Sequence, residues 1–115
     1  MESNPEALFS AIRHGYADEV VRILESSNIS DYKQSETGSS LLHIACQNGN
    51  KKMVKLLLRR GANMNAVNVQ GETALHYCFK FNYQNIGEYL VSKGADDSIT
   101  NVSGLTCYEM MISKV

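Results

Sequence analysis

Two His–Cys pairs, His43 with Cys46 and His76 with Cys78, are the residues best equipped for chemistry in this chain of 115 residues. An imidazole beside a thiolate could ligate zinc or act as the base of a nucleophile–base pair. The two histidines are 33 residues apart, and the residues around them recur with the same spacing. Zinc needs four ligands converging on one point, whereas equivalent positions in stacked helical units lie a helix diameter apart, roughly 10 Å. The spacing therefore argues against one shared ion. No stretch resembles a phosphate-cradling glycine loop, a catalytic carboxylate pair or a nucleophile elbow.

The elements that would position these side chains come from the period itself. Gly71-Glu72-Thr73-Ala74-Leu75-His76 reads as a tight turn and a helix start, with the Thr73 hydroxyl as the cap. It occurs 33 residues earlier as Gly38-Ser39-Ser40-Leu41-Leu42-His43 and 33 residues later as Gly104-Leu105-Thr106-Cys107-Tyr108. Self-similarity at such a period signals a stack of small units, none able to bury its apolar face alone. Leu42, Ala45 and Cys46 form one helical face, and Val54, Leu57 and Leu58 the next; Asn48-Gly49 separates the two helices. The first unit opens with Asn4 as N-cap, Pro5 in the first helical position and Glu6 at the positive end of the dipole. Leu8, Ala11 and Ile12 follow, then Val20, Ile23 and Leu24; a polar stretch from about Ser26 to Thr37 reads as loop. The fourth unit begins at Gly104 and reaches Val115 within its first helix, either as a short cap or as part of something longer.

Composition bounds the function classes. A formal net charge of −1 offers no electrostatic case for nucleic acid. No apolar run approaches the ~20 residues needed to cross a bilayer, so membrane insertion is not expected. Three cysteines, an odd number inside helical segments, fit buried thiols rather than a disulfide framework. Met1-Glu2-Ser3-Asn4-Pro5 has no secretory character. The expected location is intracellular, cytoplasmic or nuclear.

These residues resemble the ankyrin repeat, whose unit begins Thr-Pro-Leu-His-x-Ala. Here the motif reads Ser40-Leu41-Leu42-His43-Ile44-Ala45 and Thr73-Ala74-Leu75-His76-Tyr77-Cys78, and the closing Gly-Ala-Asp reads Gly61-Ala62-Asn63 and Gly94-Ala95-Asp96. The resemblance implies an all-α solenoid of about three and a half helix-turn-helix repeats joined by β-turns. It would be a single domain over 1–115, with repeats at about 1–34, 35–67, 68–100 and a partial unit at 101–115. It also implies that the histidines tie neighbouring units together, and that no cofactor or metal is involved. The departures are local. Leu41 and Ala74 stand where the family has proline, and Asn82 stands where the second unit has Gly49. Gly87 replaces the Val20 and Val54 of earlier units, while Phe79 replaces Cys46, so the ring is expected to fill the space the glycine vacates.

The expected function is non-catalytic recognition of a protein partner. The resemblance places the surface on the turn tips and the exposed side of the first helices. That set comprises Gln47, Asn48, Val69, Gln70, Glu72, Tyr77, Lys80, Phe81, Val102 and Leu105, with Glu36, Thr37, Ser39 and Ser103 beside them. Phe81 and Tyr83 replace the polar Asn48 and Asn50 and should point away from the core, with Phe81 and Tyr77 as anchors. Lys51, Lys52, Lys55, Arg59 and Arg60 form a basic helix surface, partly neutralised if Arg59 meets Glu25 and Lys55 meets Glu88. The alternative function is a structural subunit that stacks on another repeat or chain at its C-terminal end, where Met110, Met111 and Ile112 would be exposed.

Overall fold

The computed structural model describes residues 5–25, 33, 34 and 36–112. The Asn4 cap and most of the 26–37 loop lie outside them, as do the side chains of Pro5, Glu6, Met111 and Ile112. The elements are α1 (Pro5–His14), α2 (Ala17–Leu24), α3 (Leu41–Gln47), α4 (Lys51–Arg59), α5 (Ala74–Lys80), α6 (Gln84–Ser92) and α7 (Cys107–Ile112). No strand occurs among the described residues; Lys33 and Ser40 form an isolated antiparallel bridge. The helices pair as α1–α2, α3–α4 and α5–α6, and α7 packs on α5. The result is an elongated all-α stack, 45 × 26 × 23 Å. Among the described residues no helix is long and apolar enough to cross a membrane.

The starts of α3, α4 and α5 are set locally by side-chain caps. Ser40 and Thr73 each accept a hydrogen bond from the backbone N–H three residues on, and Asn50 accepts one from Met53 N–H at 3.0 Å. Such caps satisfy donors that the first turn would otherwise leave unpaired. Leu41 and Ala74 therefore begin helices without the family's proline, because the cap does the positioning.

The turn inside each pair closes the same way three times. Tyr16 N–H reaches Ala11 O, Asn50 N–H reaches Ala45 O, and Tyr83 N–H reaches Cys78 O at 2.7 Å. This bond needs a left-handed residue just before the donor. Gly15 and Gly49 supply it in the first two pairs, and Asn82, at φ 69°, in the third. Asn accepts that region because its short polar side chain tolerates it.

One continuous core runs the length of the stack, through Leu8, Ile12, Leu42, Leu57, Leu75 and Leu90. Full burial of each such side chain contributes about 1.5–3 kcal/mol. Between α5 and α6, Phe79 lies against Gly87: a Cβ there would sit 2.7 Å from Phe79 Cε2 and 2.8 Å from Cζ. The ring occupies the room that valine takes in the earlier pairs. Cys46, Cys78 and Cys107 are all buried and unpaired. The neighbouring Cys78 thiol, followed by burial, holds the Cys46 thiol pKa well above the ordinary value.

Candidate functional site

The histidines are joints. His43 Nδ1 accepts the Ser40 N–H at 3.0 Å, while Nε2 lies 2.7 Å from the main-chain oxygen of Glu72 in the next unit. His76 repeats the pattern, accepting Thr73 N–H at 3.0 Å and reaching Leu105 O at 2.9 Å. These contacts require the neutral imidazole with its proton on Nε2, donating to a carbonyl. Burial pushes the His43 pKa below 6.5, against the opposing pull of the Glu72 carbonyl and carboxylate. With both nitrogens engaged, the histidines hold the stack rather than a substrate. No group of three or more His, Cys, Asp or Glu side chains converges among the described residues. At the equivalent position of the last helix stands Glu109, whose carboxylate caps Thr106 N–H at 2.8 Å. A carboxylate keeps the cap but has no proton to donate onward.

The turn tips form the second feature. Asn68 Oδ1 accepts the N–H groups of Gln70 and Glu72, and Asn101 Oδ1 those of Ser103 and Leu105, so each tip is built on one asparagine. Adjacent tips are also bonded to each other: Val69 N–H to Thr37 O and Val102 N–H to Gln70 O, both 2.9 Å. Gly71 permits that approach, since a Cβ there would lie 3.1 Å from Val102 N. The valine side chains are left standing outward, Val69 62% and Val102 69% exposed. Gln70 and Ser103 are exposed beside them.

Along the adjoining helix face, Tyr77 and Phe81 meet edge to face at 5.7 Å, and Lys80 Nζ lies 5.6 Å from the Phe81 centroid. Phe81 is 37% exposed. Gln47 and Asn48 are exposed one unit back. Asn48 is partly committed, its Nδ2 donating to Arg13 O at 3.2 Å.

Several expected surface residues are placed differently. Glu72 and Ser39 are buried: the Glu72 carbonyl receives the His43 joint, and the Ser39 hydroxyl meets Tyr77 of the next unit. The Glu72 carboxylate pairs with Lys80 at 3.7 Å. Leu105 is half-buried. Tyr77, expected as an anchor, is a strut: its hydroxyl bonds Ser39 Oγ at 3.1 Å and accepts from Asn68 Nδ2 at 3.0 Å. Tyr83 does not point away from the core but packs across the turn against Gly49, where a Cβ would meet its ring. Met110, expected to be exposed, is buried against the stack. The Arg59–Glu25 and Lys55–Glu88 pairs do not form among the described residues. Glu88 instead accepts from Gln84, and Lys55 Nζ lies 5.3 Å from the Tyr89 centroid. No motif or period marks Tyr89, yet three lysines surround its ring in the fold.

A family model described as ankyrin repeats (3 copies) matches residues 8–101. The chain is 36% identical over 93 residues to human protein phosphatase 1 regulatory subunit 27, covering 81% of this chain and 60% of that protein. It is 35% identical over 82 residues to the ADP-ribosylation factor GTPase-activating protein AGD2 of Arabidopsis thaliana, covering 71% of this chain and 11% of that one. To AGD4 of the same plant it is 31% identical over 104 residues, 90% of this chain and 13% of the relative. The chain therefore spans between 11% and 60% of the length of these relatives. Capped helix pairs, histidine joints and this match agree: the chain belongs to the ankyrin-repeat family.

Proposed function

We propose that this chain is a non-catalytic recognition module whose turn tips and α3/α5 face grip a protein partner. The observation that carries the reading is the row of outward valines, Val69 and Val102, on tips bonded edge to edge. Apolar groups on a preformed frame bind without first ordering a loop, so little entropy is lost on docking. Phe81 adds an aromatic contact, and Gln47, Asn48, Gln70 and Lys80 add polar ones; Glu72 and Leu105 act by positioning the tips. The repeats divide at about 1–34, 35–67, 68–100 and 101–115. Three buried free thiols suit a reducing location, cytoplasmic or nuclear.

The similarity to a phosphatase regulatory subunit makes the catalytic subunit of protein phosphatase 1 the first partner to try. The test is capture of that subunit, and of partners from extract identified by mass spectrometry, with wild-type, Phe81→Ala and Val69→Asp/Val102→Asp proteins. A partner held by the wild type and lost by the variants, with unchanged circular dichroism, supports the reading. Partners held equally by all three would remove this face from consideration.

A further inference from the structure

A second surface, on α4 and α6 away from the turn tips, carries charge without a counter-ion. Lys51, Lys55 and Lys93 place their ammonium groups 5.2, 5.3 and 5.6 Å from the centroid of Tyr89. Lys55, Lys93 and Arg59 then rim a groove of about 470 Å³ whose floor includes Leu58 and Met64. Among the described residues none of these four cations forms an ion pair. The neighbouring carboxylates are engaged elsewhere: Glu88 with Gln84, Asp96 with Ser98, and Asp97 with the Tyr108 hydroxyl. Like charges gathered on one ring repel each other, and the ring's negative face offsets only part of that. An incoming anion would relieve it.

We propose that this groove binds an acidic peptide segment, with one large apolar side chain over Leu58 and Met64 and flanking carboxylates on Lys55, Arg59 and Lys93. The groove's shape selects among anionic partners. Its apolar side chains, Leu58 and Met64, are half-buried against the core rather than protruding, which disfavours insertion into a bilayer. The patch is a short rim around an apolar floor rather than a long basic track, and the chain's net charge is −1, which disfavours a nucleic-acid backbone. An acidic peptide supplies both the charge and the apolar group.

The probe is a short fluorescein-labelled peptide of Asp and Glu around one central Leu, followed by anisotropy at low and moderate salt. Wild type should bind it, more weakly as salt rises, and should bind the Asn/Gln analogue at least about tenfold less well. Lys55→Glu/Lys93→Glu should lower affinity by about tenfold or more, and Tyr89→Ala by a smaller factor. If circular dichroism shows that the charge-reversed protein is unfolded, Lys55→Gln/Lys93→Gln provides the same readout. Equal binding of the amide analogue, or unchanged affinity in a folded charge variant, overturns the proposal. So does binding of phosphatidylserine vesicles or a single-stranded DNA oligonucleotide without the peptide. Val69→Asp/Val102→Asp should bind the peptide like wild type; loss there would move the peptide to the turn tips and sink this assignment.

Discussion

At the scale of single residues, His43 carries the clearest dependence on pH. Its pKa is pushed below the unfolded 6.5, so the stability it adds is whole above that pH and drains away as pH falls through the folded value. A protonated ring cannot accept the Ser40 N–H. The urea midpoint should therefore fall between about pH 7 and about pH 5, and His43→Ala should cost about 1–3 kcal/mol at neutral pH while flattening that dependence. An equally pH-sensitive His43→Ala protein would show that another group is responsible. The thiols behave oppositely. Burial, then the Asp97 charge, pushes Cys107 up to about 11, and Cys46 is held high by the neighbouring Cys78 thiol and by burial. Ellman's reagent at about pH 8 should leave the folded protein unmodified and titrate all three cysteines in denaturant. Rapid labelling of native protein would contradict the buried placement. Gly87→Val should destabilise by about 1–3 kcal/mol in chemical denaturation through its clash with Phe79. A higher melting temperature would mean the ring moves aside without cost.

At the scale of elements, helix starts and the turn inside each pair were legible because they depend on residues close in sequence. Ser40, Thr73, Gly49 and Asn82 do their work within five residues of themselves. Asn82→Val should cost about 1–2 kcal/mol by forcing a branched side chain into φ 69°, whereas Asn82→Gly should be nearly neutral; comparative thermal melts settle it. What the sequence hid was how its long aromatic side chains reach between units. Tyr83 takes the register position of Asn50, a polar turn residue, and so reads as outward; its ring instead folds back onto Gly49 of the preceding pair. Tyr77 likewise reaches across to Ser39. Periodicity records which way a side chain sets out but not how far a long one extends. Tyr89 escaped notice for the same reason, being neither core nor tip. Glu109 could have been read, since its place at the 33-residue offset from His76 marks a cap without a joint.

At the scale of the molecule, each pair leans on its neighbours, so stability belongs to the stack more than to any unit. Leu75→Ala in the middle should lower stability by about 2–5 kcal/mol and shift circular dichroism and tyrosine fluorescence together. Separate transitions would show that the pairs melt independently. The whole-molecule fold followed from the period, whereas the proposed binding faces depend on which long side chains fold back and which stand free. The histidine joints land on main-chain oxygens, at residues 72 and 105, rather than on any side chain. A joint of that kind is indifferent to the identity of what it meets. Lengthening the array by splicing in another copy, or exchanging one copy for a relative's, would preserve the connection while repainting the outside, so new specificity can be acquired without renegotiating the frame.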